Sequence, residues 1–181
     1  MSNYRRANTK GGTYFFTVIT YRRQKILCND EIRIALREAI QHVKKTHPFT
    51  IDAWVLLPDH LHCIWTLPEN DADFGIRWAM IKRFVSKQCH SLRRDDWMTA
   101  SKRKRKESTL WQRRLWEHQI RDEQDYERHI DYIHFNPVSH GLVNRVVDWP
   151  HSTFHRYVKD EVYQENWAGD GVVSVDGDFG E

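Results

Sequence analysis

An α+β fold built on an antiparallel sheet is predicted by three features of this sequence. Strand-like and helix-like segments follow one another as β-α-β-β-α-β-α, and two of the strands are joined by a turn short enough to be a hairpin. The 181 residues also suit one domain around one core. Apolar residues make up 40% of the chain and aromatic residues 13%, a composition that excludes a disordered polymer.

The elements are justified in turn. Thr13 to Thr20, after Gly11-Gly12, is rich in aromatic and β-branched residues and reads as a strand. From about Asp30 to Lys45, the residues Ile32, Leu36, Ala39, Ile40 and Val43 fall on one helical stripe, with Pro48 just beyond. Phe49 to Leu57 and His60 to Leu67 are strands around the turn signal Pro58-Asp59. A second helix from about Asp73 to Leu92 carries Ile76, Met80, Phe84 and Gln88 along one side. Arg93 to Glu107 reads as a mobile basic loop, and Leu110 to Ile120 as a strand with Trp111 and Trp116. A last helix starts at the cap Asp122 and ends at Phe135 or Asn136, before Pro137. The first six elements match a ferredoxin-like sheet with both helices on one face, which frees the last helix to cover the other. Residues 1–168 are expected to form this domain and residues 169–181 a flexible acidic tail.

Charge is unevenly distributed. Arg5, Arg6, Lys10, Arg22, Arg23 and Lys25 precede the first acid, Asp30. Thirteen basic residues lie between Arg77 and Arg114 against three acids, whereas the chain from Lys159 onward holds one basic residue and seven acids. Such segregation points to a polyanionic partner for the basic part. No run approaches a membrane span and no apolar leader follows Met1, so a cytoplasmic protein without a membrane partner is expected. Cys28, Cys63 and Cys89 form neither a disulfide framework nor a paired metal motif, which suits a reducing compartment.

His60-Leu61-His62 is the sharpest local feature, because alternate residues of a strand share a face and two adjacent imidazoles can share one metal ion. Spacing alone suits an ordinary polar face as well. On the last helix, Tyr126, Ile130, Ile133 and Pro137 form a packing stripe, and Asp125, Arg128, Tyr132 and Asn136 a polar one. Asn136 offers a carbonyl oxygen to a hard cation. A tyrosine hydroxyl, with a reference pKa of about 10, becomes a useful nucleophile where a metal polarises the group it attacks.

Three blocks then resemble a known family: Trp54-Val55-Leu56-Leu57-Pro58-Asp59-His60-Leu61-His62-Cys63-Ile64-Trp65, Trp111-Gln112-Arg113-Arg114-Leu115-Trp116-Glu117-His118, and Asp131-Tyr132-Ile133-His134-Phe135-Asn136-Pro137-Val138-Ser139-His140-Gly141-Leu142-Val143. Together they resemble the REP-associated tyrosine transposases, bacterial relatives of the single-tyrosine HUH transposases, over Tyr4 to about Trp167. The resemblance implies a metal-dependent single-strand DNA endonuclease and strand transferase acting on REP-type hairpins through a 5′-phosphotyrosine. It makes Tyr132 the nucleophile, His60 and His62 metal ligands, Asn136 a third ligand, and Mg²⁺ or Mn²⁺ the metal. DNA contacts are expected from Arg5, Arg6, Lys10, Lys102, Arg103, Lys104, Arg105, Lys106, Arg113 and Arg114, with stacking from Trp111 or Trp116. A monomer is preferred to a dimer. The segment Arg93 to Glu107 is longer than in shorter members of the family. Two rivals remain at this stage: a hairpin-binding protein without cleavage, and a metal-dependent hydrolase that uses water.

Overall fold

The computed structural model describes residues 9–168 and Phe179–Gly180. Arg5, Arg6 and the expected tail residues 169–178 and 181 lie outside the described residues.

Four strands, β1 (Thr13–Ile19), β2 (Thr50–Leu56), β3 (His60–Thr66) and β4 (Trp116–Gln119), form one antiparallel sheet in the order β2-β3-β1-β4. This is the ferredoxin-like order that the sequence predicts. Helices α1 (Asp30–Thr46) and α2 (Phe74–Gln88) cover one face, and α4 (Glu123–Ser139) covers the other. Two short helices complete the set, α3 (Ala100–Lys104) and α5 (Phe154–Lys159).

Alternation along the strands sorts the side chains into two cores. Tyr14, Phe16, Val18, Leu61, Cys63 and Trp65 point toward α1 and α2. Phe15, Ala53, Val55 and Ile64 point toward Ile130 and Ile133 of α4. In the first core the Trp65 ring stacks on Trp78 at 4.2 Å between centroids and meets Phe49 at the same distance. Backbone bonds from Leu57 to His60 and from Thr20 to Asp59 hold the β2–β3 turn beside the end of β1.

Several boundaries and faces differ from expectation. On α2 the buried side is Phe74, Arg77, Trp78, Ile81 and Val85, while Ile76 is exposed. Both stripes have helical spacing, and the two-ring bulk of Trp78 at the sheet selects the other. The helix stops at Gln88, and a 3-10 turn, His90–Leu92, follows. The segment 93–107 is not a plain loop: it contains α3, capped by Thr99, and Lys102 is buried with its ammonium 3.1 Å from the Ser108 carbonyl and 3.9 Å from the centre of the Tyr21 ring. The expected strand 110–120 narrows to β4, because the exposed Arg113 and Arg114 interrupt pairing after Trp111 bridges to Thr20. Helix α4 runs through Pro137 to Ser139. A proline so close to the end removes one intrahelical bond only, and His140 N–H to Asn136 O at 3.0 Å closes the turn.

Trp65→Ala is expected to lower the unfolding free energy by about 4 kcal/mol, measured by urea denaturation. A loss below about 1 kcal/mol contradicts its central place in the core.

Candidate active site

The β1–β3 register sets Thr17 opposite His62 and Ile19 opposite His60, so both histidines lie on the α4 face of the sheet. They are almost fully buried, with ring centroids 4.8 Å apart and planes at 80°. The groups behind them define which nitrogen carries the proton. Asp59 Oδ1 is 2.7 Å from His60 Nδ1. A carboxylate only accepts, so Nδ1 is the donor, and the lone pair of the neutral ring is on Nε2. Burial pushes the Asp59 carboxyl up, but the His60 ring and the Arg23 guanidinium outweigh it and hold this acid below its ordinary value. Thr17 Oγ1 donates its single proton to the Phe179 carbonyl at 2.6 Å and lies 2.9 Å from His62 Nδ1. It must therefore accept from Nδ1–H, which places the lone pair of the neutral His62 ring on Nε2 as well.

Helix α4 brings a tyrosine to this pair. Tyr132 is half-buried, with its ring centroid 5.1 Å from that of His62. Two turns on, the His140 ring lies 5.2 Å from His60. Asn136 is buried midway between them at the same four-residue spacing, so the stripe Tyr132, Asn136, His140 faces the histidine pair. The structure thus brings Tyr132 to the His60–His62 pair, with Asn136 buried one turn further along the same stripe. The sequence reading leaves His140 without a role, since it ends the helix at Phe135 or Asn136, before Pro137.

The chain's own C-terminal end enters the site. Phe179 is buried and stacks on Tyr132 with centroids 3.7 Å apart and planes at 11°. Gly180 has φ +74° and abuts Trp116, where a Cβ would have no room. Phe179 lay within the segment expected to be flexible, and no local sequence pattern distinguishes it there.

A second cluster adjoins the first. His118 of β4 and Asp125 and His129 of α4 bring one donor atom each within 4.8 Å of one another. Asp125 is also bound by Arg121 at 3.1 Å and Arg128 at 2.8 Å, so its charge is already balanced. Burial raises the Asp125 carboxyl, yet the bonds from His118, Arg121, Arg128 and the Arg121 amide more than reverse this and hold it far below normal. Burial lowers His129 to about 4, so it is neutral at pH 7. A carboxyl depressed by folding stabilises the protein above its unfolded pKa, and that contribution fades as pH falls toward the folded value. Asp125→Asn should therefore cost about 2 kcal/mol at pH 7, and the gap to the parent should narrow below about pH 4 in thermal unfolding. A gap independent of pH contradicts this balance.

The expected DNA contacts divide. Lys10, Arg103, Lys104, Lys106, Arg113 and Arg114 are exposed, whereas Lys102 is buried and committed internally. Arg105 pairs with Glu107 at 2.6 Å, and Arg113 lies 3.4 Å from the same carboxylate. Arg77, part of the basic count, is fully buried and paired with Asp71. Trp111 belongs to the α1–α2 core, and Trp116 borders the site.

The chain is similar to known proteins. A family profile described as "Transposase IS200 like" matches residues 8–136. The REP-associated tyrosine transposase of Escherichia coli (strain K12) is 48% identical over 170 residues, covering 94% of this chain and 93% of that protein. A relative from Haemophilus influenzae is 44% identical over 186 residues, covering 99% and 100%. A solved structure described as a REP-associated tyrosine transposase bound to a REP hairpin superposes with a TM-score of 0.83 at 47% identity, over 100% of this chain and 98% of that one. Fold and matched relatives agree: this chain belongs to the REP-associated tyrosine transposases, within the IS200-like transposase family.

Proposed function

We propose that the protein nicks and rejoins single-stranded DNA next to REP-type hairpins, with Tyr132 as nucleophile and a divalent cation held by His60, His62 and Asn136. The observation that carries this reading is the Tyr132 ring 5.1 Å from that of His62, which itself stands 4.8 Å from His60, with Nδ1 of each imidazole held by a hydrogen-bond partner behind it. Such a donor set, two nitrogens and an amide oxygen, suits Mn²⁺ or Mg²⁺, with the imidazoles leaning toward Mn²⁺. A cation bound there neutralises phosphate charge and polarises phosphorus.

The residues divide the work. Asp59 and Thr17 hold the imidazoles in the ligating tautomer. Tyr132 attacks the phosphodiester: its Oη–P bond forms, the P–O3′ bond breaks, the phenol gives up its proton, and the departing 3′ oxygen takes one. The products are a 5′-phosphotyrosine and a free 3′-hydroxyl, and attack by a 3′-hydroxyl reverses the step or joins a new strand. Exposed Lys10, Arg103, Lys104, Lys106, Arg113 and Arg114 supply phosphate contacts that weaken with salt. The hairpin partner follows from the relative whose structure holds one. A monomeric, cytoplasmic enzyme fits this reading, and among the described residues no helix is long and apolar enough to cross a membrane.

Phe179 covers the Tyr132 ring in the described state, so the C-terminal segment competes with the strand. Deleting residues 169–181 is expected to raise cleavage several-fold and to tighten DNA binding at low salt. Unchanged cleavage and affinity would remove this competition.

Incubated with a labelled hairpin and Mn²⁺, the protein should form a covalent DNA adduct that Tyr132→Phe abolishes. Cleavage without an adduct, undiminished in that variant, means that water is the nucleophile. Binding without cleavage in the tail-deleted protein means that only recognition remains. Thr17→Val removes the acceptor behind His62 and should weaken Mn²⁺ binding about ten-fold by calorimetry in the tail-deleted protein. Equal affinity would show that this bond does not orient the ring.

A further inference from the structure

Phe179 sits in a slot made of flat rings rather than on a general apolar surface. One face lies parallel to Tyr132, while Phe15 and His129 meet it edge to face at 5.9 and 5.2 Å. His129 in turn stacks on His118 at 4.6 Å and 12°, and Trp116 stacks on His118 at 6.0 Å and 10°. The backbone beside the ring is held by the Thr17 hydroxyl, which also touches His62. A planar gap floored by one aromatic ring and walled by others, with a buried hydroxyl beside it, has the shape and chemistry of a seat for a nucleobase. An aliphatic side chain would fill such a gap without using its parallel face.

Position supports the same occupant. The floor of the slot is the tyrosine that the proposed reaction uses, and the buried Thr17 hydroxyl links the slot to the His62 side of the cation site. A strand that presents a phosphate to Tyr132 carries its neighbouring bases into this space. The wall imidazole His129 is neutral at pH 7, and Asp125 is balanced by Arg121 and Arg128. The slot therefore presents little net charge of its own to a base.

We propose that the slot formed by Tyr132, Phe15, His129 and Trp116 binds the nucleobase of a nucleotide flanking the scissile phosphate, and that Phe179 occupies it as a base surrogate. The inference rests on the endonuclease reading above and adds a specific seat to it. Stacking recognises any base, so the slot positions the strand at the nucleophile and leaves sequence reading to other contacts.

The test uses single-stranded flanks of a REP-type hairpin in which each nucleotide is replaced in turn by an abasic residue. With the protein lacking residues 169–181, one position beside the cleaved bond should lose adduct formation about ten-fold, and abasic residues two or more positions further out should not. A 2-aminopurine scanned through the same flank should be quenched at that position by the tail-deleted Tyr132→Phe variant, which keeps the ring and removes the chemistry. Quenching should weaken when the full C-terminal segment is present and return with Phe179→Ala. Adduct formation indifferent to every abasic position overturns the slot and leaves the transposase reading standing. Absence of any adduct, even on the intact strand without the tail, fails the endonuclease reading instead. The 2-aminopurine scan then still decides the slot, and an unquenched probe at every position overturns it.

Discussion

Two hydrogen bonds behind two imidazoles are the constraint on which the site depends. Asp59 accepts a hydrogen bond from Nδ1–H of His60, and Thr17 accepts one from Nδ1–H of His62, so both rings turn Nε2 away from these partners. Each partner is placed by the fold rather than by its own flexibility. Asp59 belongs to the β2–β3 turn, whose backbone is bound by Thr20, and Thr17 stands opposite His62 in the β1–β3 ladder. A one-residue slip in that ladder would send Thr17 to the other face and undo the arrangement. The antiparallel register is thus a chemical requirement as well as a structural one.

The second requirement is a helix that crosses the open face of the sheet. Ile130 and Ile133 seat α4 on Phe15, Val55 and Ile64, and this seating carries Tyr132 to His62 and His140 to His60. Apolar burial is strong but undirected, whereas the polar stripe on the same helix is directed and needs a fixed rotation. The bond that Asp125 accepts from His118 ties the start of α4 to β4 and supplies that rotation, while Arg121 and Arg128 balance the same carboxylate. Packing therefore brings the helix to the face, and the buried ionic cluster fixes which residues look inward.

Sheet order, the two-faced layering and the closeness of Tyr132 to the histidine pair were legible in the chain, because each rests on a short-range pattern. Alternation put His60 and His62 together, and the spacing of four put Tyr132 and Asn136 on one stripe. Other features rest on contacts between distant parts of the chain. The buried face of α2 was misjudged since two stripes have the same period and only the sheet distinguishes them. Pro137 hid His140 because a proline in the last turn costs little once the residue is itself buried. Lys102 looks like any cation of its run until Ser108 and the Tyr21 ring are seen beside it. Phe179 is separated from Tyr132 by more than forty residues and carries no local signature.

The most direct measurement is anomalous X-ray diffraction from crystals of the tail-deleted protein soaked in Mn²⁺. A single peak within coordination distance of Nε2 of both His60 and His62, on the side occupied by Tyr132 and Asn136, is the predicted result. A peak held instead by His118 and His129, or no peak near His60 and His62 at saturating metal, would contradict the account.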